Sequence, residues 1–305
     1  MNNYYLRSPL FYVGGKEKLM PQIACYLPAN IKRLIEPFVG GGSVFMNVEA
    51  EEYLLNDLNK WIIKIHRMLN SYCGREDEFF EKIFSLISHY CLSFDCNGMS
   101  SGLSRGNRSS EEIKNHNSDG YYRMRKDFND GGMQDTMLLY LLLIYGFNHM
   151  TRFNKKGKFN LPVGNLDFND NAFKALNDYF NQSGRKHPQW NNQDFMTFLN
   201  GIDYGKNDLV YLDPPYLITS SEYNKMWNEE SERHLIIMLD DLDKRGVRFA
   251  VSNVITYCGR RNDIFGEWAS QYNIHPINSH YKSYRDNSKK KKQEVLVTNY
   301  YASST

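Results

Sequence analysis

The sequence lacks any pairing of its cysteines. The five present, Cys25, Cys73, Cys91, Cys96 and Cys258, include no Cys-x-x-Cys pair and no accompanying His-x-x-x-His. That argues against a disulfide framework and against a zinc site of the usual spacing. No stretch approaches the ~18 apolar residues of a membrane span, and the longest apolar run, 137–145, is read by its length as a buried helix. Residues Met1 to Arg7 lack the apolar core of a signal peptide. Charge of one sign is also scarce: the formal net charge is +2, too small to demand a polyanionic partner but compatible with one where basic residues cluster. The expectation is a soluble, cytoplasmic chain, monomeric, without membrane contact or metal. Its 305 residues, 41% of them hydrophobic, suffice for one large domain or a core domain with an insertion.

What the sequence does have is organised around Asp213-Pro214-Pro215-Tyr216, directly after the apolar run Leu209-Val210-Tyr211-Leu212. Neither proline can donate to a sheet ladder, and each restricts the residue before it, so the chain must leave a buried strand here in a fixed, extended shape. A carboxylate, a backbone carbonyl and an aromatic ring are thereby held together at the carboxyl edge of a parallel sheet, where open α/β folds place their chemistry. Two acceptors and a stacking face suit an exocyclic amine on a flat base. Taken alone, the stretch also reads as a surface turn.

The preceding segments add a nucleoside-binding pattern. Residues 11–20 form a turn feeding a helix, with Gly14 and Gly15 permitting positive φ and Lys16 at the helix start. A strand at 34–38 runs into Gly40-Gly41-Gly42-Ser43, a turn whose glycines let backbone N–H groups approach a ligand. The order is not Gly-x-Gly-x-x-Gly, which points to a nucleoside rather than a dinucleotide. A second strand, 53–55, delivers Asp57 at the distance where an acid meets ribose hydroxyls; its other role is to cap a helix over 58–69. Toward the carboxyl end, Asp194 precedes a short helix, 218–227 is polar, and a helix over 230–244 leads to a strand that Asn253 ends.

Between these halves, 61–95 carries helical periodicity with no strand signal, and 97–119 reads as a long polar loop containing Arg105, Arg108 and Lys114. Residues 145–164 alternate aromatic, amide and basic side chains around Asn154-Lys155-Lys156-Gly157, a hairpin signal. This is the composition of a base-reading hairpin, or of an exposed hairpin with a small hydrophobic anchor. The run Lys289 to Lys292 suits phosphates, although a solvated loop is the commoner meaning of such runs.

With these segments in this order, the sequence resembles the DNA adenine-N6 methyltransferases of the Dam type (α arrangement), nearest to those of T-even phages, over nearly its whole length. The resemblance implies a Rossmann-like α/β methyltransferase sheet at 1–60 and 183–305, with an inserted, mainly helical target-recognition domain at 61–182 bearing a β-hairpin. It implies S-adenosylmethionine bound by Tyr12, Lys16, the turn Phe38, Gly40, Gly41, Gly42 and Ser43, Asp57, Asp194 and Asp213. It implies catalysis by Asp213, Pro214, Pro215 and Tyr216 on double-stranded DNA. Lys16 and Arg152 would meet guanines of GATC, Pro162 its thymine, and Phe147, Asn148 and Met150 would invade the duplex, with Asn154 in the same hairpin. Other readings share parts of the pattern: an N4-cytosine or RNA adenine methyltransferase, a non-catalytic DNA-binding protein of the same fold, and a nicotinamide oxidoreductase suggested by the glycine turn alone.

Overall fold

A computed structural model describes residues 5–12, 14–103, 109–219, 227–278 and 292–301. In chain order the described elements are α1 (Met20–Ile23), β1 (Arg33–Glu36), α2 (Ser43–Asn47), β2 (Glu52–Asn56), α3 (Lys60–Ser71), α4 (Glu76–His89), β3 (Phe94–Cys96) and β4 (Met99–Ser101). There follow α5 (Ser110–Asp130), α6 (Thr136–Ile144), β5 (Phe168–Asn169), α7 (Asp170–Lys186), β6 (Gln189–Asn191), α8 (Phe195–Asn200), β7 (Leu209–Leu212) and α9 (Glu229–Lys244). The last are β8 (Arg248–Tyr257), β9 (Arg260–Arg261), α10 (Asp263–Ala269), β10 (Asn273–Ile277) and β11 (Lys292–Thr298).

The main sheet runs β10-β11-β8-β7-β1-β2-β6, with β9 paired to β8. Strands β6, β2, β1, β7 and β8 are mutually parallel, while β11 lies antiparallel to both β8 and β10. Alternation along each strand feeds two cores. Leu34, Tyr53, Leu55, Leu209, Tyr211, Ala250 and Leu296 face a core shared with α2, α3, α4, α6 and α7. Ile35, Val210, Leu212, Phe249, Val251, Val295 and Val297 face the core under α8, α9 and α10. This is the two-faced burial that makes parallel strands nearly continuous apolar runs. The sheet order steps from β7 to β1 at its centre, so the chain leaves these strands in opposite directions and their carboxyl ends open a crevice.

Several sequence expectations are corrected. The stretch 97–119 is not one loop. It holds β4, and from Ser110 it is the first half of α5, started by a capping box in which Ser109 Oγ accepts from Glu112 N and Glu112 Oε2 accepts from Ser109 N. Arg105 and Arg108 lie outside the described residues, as do Lys289 to Lys291 and most of 218–227. The stretch 61–95 splits into α3 and α4 and ends in a strand, β3, which joins β4 and β5 in a separate three-stranded sheet. Asn59, not Asp57, caps α3, its side chain accepting from Trp61 N. Asn253 does not end a strand: β8 continues to Tyr257 with Asn253 fully buried inside it. Such a residue is tolerated because a carboxylate receives its amide hydrogens, as described below.

Candidate active site

Strand β7 delivers Asp213 to the crevice, and Lys16 meets it there. The buried Lys16 ammonium lies 2.6 Å from Asp213 Oδ2 and also donates to Gly14 O at 3.2 Å. On its other oxygen Asp213 accepts from the Tyr216 hydroxyl at 2.9 Å, and that hydroxyl lies 3.1 Å from Glu294 Oε1. Lys292 Nζ closes the chain, 2.7 Å from Glu294 Oε2. A cation thus stands at each end of a carboxylate pair, in the order Lys16, Asp213, Glu294 and Lys292, with the Tyr216 hydroxyl bridging the two carboxylates. Both ammonium groups also lie near the Tyr216 ring, at 5.3 and 5.5 Å from its centroid. Removal from water and the two neighbouring carboxylates push the Tyr216 hydroxyl well above its ordinary pKa, so it stays a donor.

The glycine turn lies next to this cluster because β1 is the neighbour of β7. Gly40 and Gly42 take positive φ, +48° and +81°, which a side chain would strain. A Cβ on Gly41 would come within 2.9 Å of Tyr12, whose ring covers the turn. Asp57 accepts from Gly40 N at 2.9 Å and from Asn59 N at 2.8 Å, so the carboxylate both fixes the turn and stands at its rim. Beside it, Asn56 ties Pro37 O to Gln193 O and so joins the ends of β1, β2 and β6. Asp194 caps α8, accepting from Met196 N, while Phe195 sets its ring 5.2 Å from Phe38 and 5.8 Å from Trp227. Two buried polar atoms at this end have no hydrogen-bond partner: Ser43 Oγ and Glu36 Oε1. Glu36 is enclosed at the end of β1, and burial together with Asp213 raises its pKa well above the carboxylate range.

Four further residues hold this end in place, and reading the sequence missed them. His66 is fully buried between Gly40 O, 2.9 Å from Nε2, and the Tyr179 hydroxyl, 3.0 Å from Nδ1. A carbonyl can only accept, so Nε2 carries the hydrogen and Nδ1 accepts from Tyr179. Burial lowers the His66 pKa to about 4. Lys186 reaches from α7 to the carbonyls of Phe45 and Val48, at 2.7 and 2.8 Å, and ties down the end of α2. Glu232, on α9, takes hydrogen bonds from Asn253 and Asn262 Nδ2 and from Trp227 Nε1, at 2.9, 2.7 and 2.6 Å. That places Trp227 against Phe38 and Phe195. The fourth is Glu294. Each has at least one partner far along the chain: Gly40 and Tyr179 for His66, Phe45 for Lys186, Asn253 for Glu232 and Tyr216 for Glu294.

Because the folded His66 has a lower pKa than the unfolded residue, only the unfolded chain binds a proton between pH 6.5 and about 4. Stability is full above 6.5 and is lost as pH falls. We expect urea unfolding at pH 5 to show about 2 kcal/mol less stability than at pH 7.5 from this residue. His66→Gln, which keeps a donor to Gly40, should flatten that dependence; an unchanged slope would remove His66 as its cause.

The stretch 145–164 folds back as expected, though through isolated bridges, Gly146 to Val163 and Phe153 to Phe159, rather than a continuous ladder. Its tip is a tight turn in which Gly157 N donates to Asn154 O at 2.8 Å, and Asn154 Oδ1 accepts from Lys156 N and Lys158 N. Phe147 is 49% exposed at its other end, beside Asn148 and His149 in positive φ. Met150 is half-buried, and the Pro162 carbonyl accepts from Phe147 N. The Arg152 guanidinium is held by Asn160, on Oδ1 at 3.1 Å and on the carbonyl at 2.7 Å. Helices α3 and α5 seat the hairpin: Trp61 stacks on Phe153 at 4.9 Å, and Asn129 exchanges two hydrogen bonds with the Phe159 backbone. Lys16, in contrast, lies in the Asp213 cluster and not on the hairpin.

A parallel α/β sheet with a glycine turn after β1 and an Asp-Pro-Pro-Tyr shelf after β7 is the layout of an amino-methyltransferase. The chain belongs to the D12 class N6 adenine-specific DNA methyltransferase family, whose model matches residues 12–283. It is 33% identical to the type II methyltransferase M.FokI of Planomicrobium okeanokoites over 98% of this chain and 43% of that protein. It is 32% identical to the modification methylase StsI of Streptococcus sanguinis over 97% of this chain and 43% of that protein. Against the DNA adenine methylase of Escherichia coli K12 it is 26% identical, over 96% of this chain and 95% of that protein. The chain therefore spans less than half the length of the first two relatives.

Proposed function

We propose that this chain transfers the methyl group of S-adenosylmethionine to N6 of an adenine flipped out of duplex DNA. The observation that carries this is the joining of Asp213, Tyr216 and Lys16 at the end of β7, beside the glycine turn. The cradle has the chemistry the cofactor needs. Asp57 stands where ribose hydroxyls would be received, Phe38 and Phe195 offer apolar faces for a base, and the unpartnered Ser43 Oγ and Glu36 Oε1 await polar groups. When bound, the cofactor supplies an electrophilic methyl group on a sulfonium.

The chain's own residues do the rest. Flipping costs a few kcal/mol, which contacts in the pocket recover, and Tyr216 supplies the stacking face. Asp213 and the Pro214 carbonyl would accept hydrogen bonds from the two N6 hydrogens, which localises the amine lone pair toward the methyl group, and one of these protons would leave nitrogen after transfer. Both acceptors are fixed before positive charge develops on nitrogen, so little reorganisation is needed in the transition state. Lys16 balances the carboxylate while the base is away. In this reading 1–60 and 183–305 carry the chemistry and 61–182 reads DNA, with Phe147, Asn148 and Met150 entering the duplex beside Arg152, Asn154 and Pro162.

The Dam-type resemblance makes GATC the target proposed first. The higher identity to the two modification methylases favours a second reading, in which the same hairpin reads another adenine-containing site as the companion of a restriction activity. Transfer of labelled methyl groups to duplexes carrying GATC, and to a pool of random sites, followed by nucleoside analysis and sequencing, separates them. N6-methyladenine confined to GATC supports the first. The same product at another site supports the second, and absence of N6-methyladenine from all DNA overturns the proposal.

A further inference from the structure

We propose that Lys60 and Lys64, on the first turns of α3, form a clamp for the DNA backbone beside the hairpin; this rests on the duplex-DNA reading above. Lys60 opens α3 and Lys64 follows one turn later. Their ammonium groups lie 4.8 and 4.9 Å from the centroid of the Trp61 ring. The Trp61 ring meets Phe128 of α5 edge-on and stacks on Phe153 of the hairpin, next to Arg152. Asn59, the cap of α3, donates to Thr151 Oγ1 at 2.9 Å. The start of α3 and the strand bearing Arg152 are therefore one surface, and two cations are fixed on it by an aromatic ring.

These lysines are poorly placed for stability. The first turn of a helix favours negative charge, yet α3 has no acidic residue there, and neither lysine is in an ion pair among the described residues. Three other helical lysines are paired with carboxylates four residues away, Lys82 with Glu78, Lys126 with Asp130 and Lys174 with Asp178. Two unneutralised cations, stiffened by an aromatic ring and joined to a base-reading hairpin, are what phosphate contacts require. Such contacts set register and affinity without reading sequence.

The test is the salt dependence of duplex binding by the full chain, native and K60Q/K64Q, with K244Q on α9 as control. Each lost phosphate contact lowers the slope of log affinity against log salt by about 0.9. The double variant should lose about 1.8 from the slope, and each single variant about half of that. The target sequence should stay unchanged, the half-saturating duplex concentration should rise, and the melting temperature without DNA should not fall. A slope equal to that of the native chain, or a shift equal to that of K244Q, overturns the clamp while methyl transfer by the native chain leaves the DNA reading standing. A native chain that neither binds nor methylates duplex DNA overturns both.

Discussion

Asp213→Asn is expected to slow single-turnover methyl transfer by about three orders of magnitude or more, with duplex binding retained. The exchange keeps shape and removes charge. The amide has one acceptor oxygen where the carboxylate has two, and Lys16, 2.6 Å away, competes for it. If the oxygen turns to Lys16, an NH2 group faces the adenine amine, donor against donor. If it turns the other way, the Lys16 ammonium, already without a counter-charge and with its side chain only 6% exposed, faces an NH2 group instead of an acceptor. Either arrangement forfeits the stabilisation of positive charge on N6. Rapid-quench measurement with saturating cofactor reads the effect, and a rate within tenfold of native would remove Asp213 from the reaction. Asn is the better probe than Ala, because it keeps the side chain's volume and an oxygen within reach of Lys16, which limits misfolding.

Glu232→Ala is expected to cost about 3–5 kcal/mol of stability, because three buried neutral donors lose their acceptor at about 1–3 kcal/mol each, less what water recovers. Three donors lose their acceptor together: the side-chain amides of Asn253 and Asn262 and the Trp227 indole N–H. Asn253 is the costliest, since it sits inside β8 with no access to water. The midpoint of urea unfolding reports that loss. A second effect is separable: with Trp227 unheld, the ring wall that includes Phe38 and Phe195 loosens, so KM for S-adenosylmethionine should rise more than kcat falls. Conversion of Asn253 to Leu together with Glu232→Leu, with Asn262 kept because its side chain caps α10, should restore part of the stability but not that KM. Stability unchanged in Glu232→Ala would show that water satisfies the network.

What could be read from the sequence was whatever is local. The glycine turn, the apolar strands β1 and β7 and the rigid exit at Pro214 and Pro215 are each set by neighbours within a few residues. The tip at Asn154 to Gly157 is equally local and forms as expected. The helix starting at Ser110 was local too, but its capping box was masked by a polar composition that resembles a loop. The rest was illegible for a different reason. Asn253 looked like a strand end because its acceptor, Glu232, lies across a helix packing, and a polar residue without a visible partner reads as exposed. His66, Lys186 and Glu294 are similar: their sequence surroundings do not mark them, and the purpose of each is defined by a carbonyl or hydroxyl brought in by the fold. Lys16 was assigned to cofactor and guanine, and its pairing with Asp213 spans 197 positions.

The core that α4 and α6 share with the sheet has a bearing on how such proteins can be altered. Phe79 and Tyr140 lie in the same interior as Leu10, Phe45 and Tyr53, and the Tyr140 hydroxyl donates to Pro9 O. The stretch between β2 and β6 is therefore no detachable cassette. Exchanging it for that of a relative would leave voids and collisions beneath the glycine turn, however well the new hairpin suited its site. If residues 147–162 read the target, as proposed, a new site would be reached by point replacements on their outer surface while the interior stays one piece.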